Sequence, residues 1–314
     1  MNNADPIPPK MQGWLFGIFL FGIIPGASIY FIYSGQAQVS WGWLGLATLV
    51  WYIQMVGVLI GYHRYFSHRS FKTGRVMRFI FGFLGCIGGQ KGPIFWASQH
   101  RMHHYSCEEH DDVHSPYFYG DLKGFNLIKG FLWSHFAHLI ENGPKPIEER
   151  LVRDLLRYPE IIFLEKQATL IYYVFGAIMT ATWGINGLIW GFFIPSFFSW
   201  NCVMLVSSAV HMFGEKPYTP KLAPDCNARN IWWLAIPMLG DNWHNNHHAD
   251  MSSARAGFHW WQLDLNYYLI WALGKVGLVW NINQPNWKRL KGMENQSPDK
   301  EPYFLEELPT HQHS

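Results

Sequence analysis

Sixteen of the 314 residues are histidines, and most fall into tight groups. His63-Arg-Tyr-Phe-Ser-His68 has the pattern HxxxxH, while His100-Arg-Met-His103-His104 and His244-Asn-Asn-His247-His248 are both HxxHH. His211 stands alone at the end of an apolar run. Imidazole is a common ligand for Zn, Cu, Fe and Ni, so this grouping reads as a metal site. Each residue of an α-helix advances about 100°, so the first and fifth positions of HxxHH share a face. His100 and His104 can therefore grip one metal, with His103 aimed at a second. By the same argument His244 and His248 share a metal and His247 serves another, so two facing boxes cross-link a metal pair. HxxxxH does not fit a regular helix, because i and i+5 lie about 140° apart. Either the backbone there departs from the helix, or one ligand reaches in from a bend.

A single HxxHH is equally well explained by a solvated helix face. Two copies, an HxxxxH at a membrane edge and a histidine at the end of a span together carry the metal reading. Eight or nine imidazoles exceed the four ligands of a structural zinc, which implies two metals. A haem would need axial histidines inside the bundle, and no histidine lies mid-span. A di-iron site that activates O2 suits a lipid chain, whose carbon–hydrogen bonds offer nothing for hydrolysis.

The elements that must position these residues are membrane helices. Hydrophobic residues make up 49% of the chain, aromatics 18% and charged residues 15%, against about 25% charged in a soluble domain. The mean hydropathy of −0.04 requires that apolar spans alternate with a sizeable polar part. The net charge of +2 gives no basic surface for nucleic acid. Cys86, Cys107, Cys202 and Cys226 lack CxxC spacing, which reads as small buried thiols rather than a zinc knuckle or a disulfide scaffold. Met1 to Lys10 lacks the basic start of a signal peptide.

Four stretches, at about 14–33, 41–60, 168–184 and 188–213, approach the length needed to cross a bilayer. Their short connections are uncharged, whereas 61–167 and the segment after 213 are rich in Lys and Arg. Positive-inside logic places both long polar segments and both termini in the cytoplasm. The expected fold is an all-α membrane protein: four transmembrane helices in two hairpins under a helical cytoplasmic cap (61–167 and 214–285). A short N-terminal cytoplasmic segment (1–13), a single membrane domain (14–285) and a polar C-terminal tail (286–314) complete the organisation. The apolar stretch 76–96 reads as a buried or interfacial helix, and 260–280 as a helix lying on the membrane or on the cap.

Gly61-Tyr-His63-Arg-Tyr-Phe-Ser-His68-Arg, Trp96-Ala-Ser-Gln-His100-Arg-Met-His103-His104 and Gly240-Asp-Asn-Trp-His244-Asn-Asn-His247-His248 together resemble the stearoyl-CoA (delta-9) desaturase-type membrane fatty acid desaturases, bacterial branch. The resemblance runs from Trp41 to Pro285. It implies one iron held by His63, His68, His100, His104 and His247, and another held by His103, His211, His244 and His248. It further implies a bacterial inner-membrane enzyme that uses O2 and two electrons from a separate carrier, ferredoxin or cytochrome b5 with its reductase. Such an enzyme introduces a cis double bond into a saturated acyl chain, with delta-9 the expected position, inside a bent, dry tunnel. Three departures stand out. Ser207 replaces an Asn that holds a metal-bound water in animal members. Ser98 and Gln99 replace an Arg-Asp pair that contacts CoA, and Asn142 aligns near a further CoA-contacting Arg. The acyl carrier is therefore open among CoA, a membrane lipid and acyl-carrier protein.

Ligand histidines need partners on their other nitrogen, for which His110, Asp111, Asp112, His114, Ser207 and Asp241 are candidates; the plainer alternative is polar residues tying the cap together. Gln90, Trp96 and Trp243 lie beside the boxes and are candidates for the tunnel wall, or are aromatic core. Arg64, Arg69, Lys72 and Arg75 offer headgroup or redox-carrier contacts, or serve only as positive-inside charge. His135, His138 and His259 read as packing residues, and His311 and His313 as tail. Competing functions are lipid hydroxylation or oxidative decarboxylation at the same di-iron site, and a zinc membrane hydrolase or metal transporter.

Overall fold

Three apolar runs are helical, and each is long and apolar enough to cross a membrane: Pro9–Tyr33, Trp41–Ser67 and Pro159–Met212. A helix is the solution such runs reach because it satisfies every backbone group within the segment. The computed structural model describes residues 7–108, 112 and 114–295. The first helix, α1 (Pro9–Tyr33), starts five residues before Trp14, with Pro9 in the first turn where its missing N–H costs nothing. The second, α2 (Trp41–Ser67), opens with Ser40, whose Oγ accepts the Trp43 N–H at 3.3 Å. It continues past the expected end at Ile60.

The stretch expected as one helix over 76–96 is two helices, α3 (Arg75–Ile87) and α4 (Pro93–Ser106). They are separated by left-handed turns at Gly89 (φ 72°) and Lys91 (φ 63°). α3 packs backbone to backbone on α2: a Cβ added at Gly57 would sit 2.2 Å from the Leu84 carbonyl carbon. Its other side leaves Val76 and Phe83 exposed. Next comes α5 (125–142), which contains a wide turn at Trp133–Ala137.

The third apolar run cannot be one straight rod, which would be about 80 Å long. Helix α6 (Pro159–Leu188) is broken at Trp183 (φ −129°) and Gly184 (φ 59°). Beyond the break the chain returns, so that the Phe192 ring lies 4.7 Å from that of Tyr172 and fills the space a side chain at Gly176 would need. The returning limb is α7 (Ile194–Ser207), then a kink at Ser208, then the single turn α8 (Ala209–Met212) that carries His211.

Two short helices follow in the polar cap, α9 (His244–Ala249) and α10 (Leu265–Lys275). A two-residue ribbon pairs β1 (Lys72–Thr73) with β2 (Val279–Trp280), antiparallel. The cap thus joins segments from both halves of the chain. It also extends further than expected. Residues 286–295 are not tail: Leu290 and Met293 are buried with Tyr218 and Phe258, and the Thr219 N–H donates to the Met293 carbonyl at 2.8 Å. Apolar side chains at 290 and 293 close a small cap core and hold this segment down. The rest of the expected tail, with His311 and His313, lies outside the described residues.

Candidate metal centre

The last part of α2, Val56–Ser67, winds as a π-helix, in which the hydrogen bond runs from i+5 to i. The His68 N–H accordingly donates to the His63 carbonyl at 3.2 Å. The wide winding resolves the HxxxxH puzzle, bringing the His63 and His68 rings to 5.0 Å. α4 presents His100 and His104 one turn apart, with Nε2 atoms 3.1 Å from each other. His247 of α9 completes the group, its Nε2 lying 3.0 Å from those of both His63 and His104. His68 and His100 approach to 2.8 Å. One nitrogen from each of His63, His68, His100, His104 and His247 lies within 4.8 Å of the others.

A second cluster adjoins the first across the His104 and His248 rings, which stack at 4.2 Å. The His244 Nε2 lies 3.0 Å from that of His248 and 3.1 Å from that of His211. His103 faces the same space, 5.1 Å from His211 and 5.2 Å from His248 between ring centres. The four donors that converge within 4.8 Å here are His103, His211, His248 and a residue sequence reasoning missed, Cys107.

The outer nitrogens are held by carboxylates. The His63 Nδ1–H donates to Asp241 at 2.7 Å, and Asp241 also takes the Arg64 guanidinium at 2.6 Å. Arg64 reaches on to Asp264 at 2.9 Å and the Ala254 carbonyl at 2.8 Å. This arginine is buried, at 2% exposure, so it serves no headgroup or partner. Arg69 and Arg75 pair with Asp154 and Glu160. The His211 Nδ1–H donates to Glu108 at 2.9 Å, another residue the sequence did not single out. Glu108 sits at φ 64°, anchored by its N–H on Asp112 at 3.0 Å and by the Ser115 hydroxyl. Asp112 also meets His103 at 3.2 Å and His114 at 3.0 Å. Burial raises the Asp112 carboxyl, but His114 and His103 outweigh it and hold it well below the usual range. Asp241 is likewise low, with Arg64 and then His63 overcoming its burial. Candidates His110 and Asp111 lie outside the described residues.

The intervening residues of the third box are as buried as its histidines. Asn245 donates to the Tyr218 and Ala228 carbonyls, both at 2.9 Å, and Asn246 to the Ala256 carbonyl at 2.9 Å. Only side chains that answer those loop carbonyls fit there. Arg101 of the second box ties α4 to the end of α2 through the Ser67 carbonyl at 2.8 Å and Asp154 at 2.7 Å.

Burial first, and neighbouring imidazoles second, push His100, His104, His244, His247 and His248 well below the ordinary histidine range. They are neutral near pH 7, with a lone pair free to donate. Because Asp241 and Glu108 occupy the Nδ1 protons of His63 and His211, the Nε2 lone pairs of those rings point inward at other Nε2 atoms. Lone pairs facing at about 3 Å repel unless a cation lies between them. Imidazole–metal bonds of about 2 Å would place nitrogens sharing one ion within about 4 Å, and the neighbouring Nε2 pairs at 2.8–3.1 Å fall inside that limit. Metal ions fit both clusters.

A largely apolar cavity of about 200 Å³ runs against both clusters, touching His63 and His100 of the first and His103 of the second. Gln90 and Trp96 line it, as do Ser207, Gln99 and Asn142. The Trp96 indole donates to Gln90 at 3.1 Å and its ring stacks on His100 at 4.9 Å. Trp243 is not among its lining residues; its indole N–H donates to the Leu263 carbonyl at 2.9 Å. The Ser98 hydroxyl accepts the Glu148 N–H at 2.8 Å. His138 lines the cavity with its Nδ1–H on the Trp133 carbonyl at 2.8 Å, and burial takes it down to about 3. His135 Nδ1 lies 2.9 Å from the Ser208 hydroxyl, at the kink before α8. The expectation of four free thiols is corrected: Cys107 and Cys226, 119 residues apart, form a disulfide where the cap loop returns to the end of α4. Cys86 and Cys202 are buried and free.

The sequence profile of the fatty acid desaturase family matches residues 40–282, a span that contains every histidine of both clusters. An sn-1 stearoyl-lipid 9-desaturase of Anabaena variabilis is 33% identical over 284 residues, covering 90% of this chain and 97% of that one. A hex-5-enoyl-[acyl-carrier protein] acetylenase of Moorena producens is 35% identical over 260 residues, 79% of each chain. An acyl-CoA 5-desaturase of Anemone leveillei is 32% identical over 277 residues, 85% of this chain and 81% of its own. The chain belongs to the fatty acid desaturase family and is an oxidoreductase.

Proposed function

We propose that this chain carries out an O2-dependent desaturation, placing a cis double bond at the delta-9 position of a saturated long-chain acyl group. The reading assigns one iron to His63, His68, His100, His104 and His247 and the other to His103, His211, His244 and His248. The observation that carries it is the pair of buried, carboxylate-braced histidine clusters facing one apolar cavity. When bound, the irons supply oxygen activation and the oxidising power that takes two hydrogens from adjacent methylenes. The chain's own residues do the rest. Asp241 and Glu108 fix the tautomers of His63 and His211, so that their Nε2 lone pairs face inward. The Arg64 charge pairs with both Asp241 and Asp264 and holds the buried Asp241 carboxyl ionised. Leu59, Phe95, Trp96, Trp200 and Met204 of the cavity wall exclude water and hold the chain in reach of the clusters.

For topology, the reading takes four crossings in two hairpins, the third apolar run contributing two of them at the Trp183–Gly184 break. The charge distribution of the connections favours a cap on the cytoplasmic face of a bacterial inner membrane. The electrons come from a separate ferredoxin, or from cytochrome b5 with its reductase. A lipid-linked acyl chain is the favoured carrier, since the Anabaena relative aligned along 97% of its length is named for one. Acyl-carrier protein and CoA appear in the names of the other two relatives and are tested alongside it.

The deciding experiment is expression with ferredoxin and its reductase in a host that lacks the activity, followed by mass spectrometry that locates double bonds in the extracted lipids. New 9-cis chains that require O2 are the expected result. An unchanged profile from iron-loaded protein with a working reductase overturns the proposal. A hydroxylated or shortened chain would reassign the outcome of the same site, and O2-independent activity with zinc alone would point to a hydrolase.

A further inference from the structure

The Cys107–Cys226 disulfide plays no part in the reading above, yet both of its sulfurs touch the second cluster. Cys107 Sγ lies within 4.8 Å of one nitrogen each of His103, His211 and His248, and all four residues are buried. Cys226 Sγ is 3.4 Å from His248 Nδ1. His244 reaches His211 and His248 singly but stands outside that four-donor group. A metal held by these imidazoles therefore has a sulfur within reach beside three of them. A disulfide sulfur is a weak ligand, whereas a thiolate is a strong one for iron, zinc and cobalt. The oxidation state of this pair thus decides the donor set offered to the second metal.

We infer that Cys107–Cys226 is a redox-switched ligand. A small dithiol gives two electrons and two protons; the Cys107–Cys226 bond breaks as the donor's own disulfide forms, leaving two thiols here. Cys107 then joins His103, His211 and His248 on the second metal, its thiol proton passing to solvent. Cys226, on the outer nitrogen of His248, is the resolving partner that withdraws the ligand on reoxidation. The inference rests on the metal-centre reading, and its test separates the two.

The test uses the full chain in detergent, loaded with cobalt(II) in place of iron, because cobalt–thiolate bonding gives a charge-transfer band that imidazole alone does not. The oxidised protein should bind cobalt, show no such band, and yield two alkylatable thiols after denaturation, those of Cys86 and Cys202. A small dithiol such as dithiothreitol should raise the thiol count to all four cysteines and bring the band up. Cys226→Ser should show the band without reductant, and Cys107→Ser should lose it under every condition while still binding cobalt. Full cobalt occupancy with no band in either reduced wild type or Cys226→Ser overturns the inference, as do four free thiols in aerobically prepared protein. Failure of the oxidised protein to bind cobalt or iron at all overturns the metal-centre reading, and the switch with it.

Discussion

The first histidine cluster is carried by the π-helical end of α2, by α4 and by α9, and all five of its donors are imidazoles. Its outer brace is a buried Asp241–Arg64–Asp264 chain that locks α2 to the far end of the cap. The second cluster shares α4 and α9, but hangs its remaining donors on weaker supports. His211 rides on a four-residue turn after a kink, Glu108 braces it from a left-handed position, and a cystine closes the space. Helices buried on several sides fix a donor geometry; short turns and a reversible bond leave it adjustable. The first cluster reads as the permanent half of the centre and the second as the tunable half.

That contrast can be broken most directly at His247, which approaches both His63 and His104. His247→Ala should reduce turnover to background while leaving helical content unchanged by circular dichroism. Retained turnover would remove it from the ligand set. Next in size is Arg64→Leu, which strands Asp241 and Asp264 as buried charges. It should cost about 3–5 kcal/mol of stability, read as a lowered thermal midpoint in detergent, and a midpoint within the error of wild type would deny the first cluster its rigid brace. Glu108→Gln should act locally, weakening metal binding at one of two sites by about 10–100-fold with the other unaffected in a metal titration. Equal loss at both sites would mean that the clusters are not separately supported.

The smallest effect is that of pH on the metal-free protein. Burial lowers the pKa values of His100, His104, His244, His247 and His248 in the folded state, so between folded and unfolded values the unfolded chain binds more protons. Stability is then full above about pH 6.5, the ordinary histidine value, and falls as pH drops through it. Melting curves between pH 8 and 5.5 should show this slope, and bound metal should raise the midpoint at every pH without flattening it, because the ion holds the same imidazoles neutral. A flat profile in the metal-free protein would mean that these histidines are not held neutral by burial.

How much was legible follows from distance along the chain. The angular split within each HxxHH is a local property: His104 and His247 lie in one group of converging donors, and His103 and His248 in the other. The misfit of HxxxxH was also local, and it marked the π-helix. What could not be read joins remote segments: Arg64 with Asp264, 200 residues on, and Cys107 with Cys226. No spacing rule links such partners, because only the closed cap brings them together. Glu108 was missed for a related reason. Its carboxylate is ordinary until a left-handed backbone aims it at His211, and the acidic run that holds it gives no hint of that turn. The limits of the cap were misjudged at 286–295 because a polar composition hid two apolar anchors, Leu290 and Met293.

The meeting of His104 with His247, 143 residues later, also sets a clock. At about 5–20 residues per second of synthesis, the histidines of the second box wait about 7–30 s before the third exists, and those of the first box longer. During that interval the early histidines are already in place beside the membrane with no cluster to join. Neither cluster can be complete until the third box has been made, so the centre is assembled onto a chain already inserted, and cofactor supply belongs among the last events in the maturation of this protein.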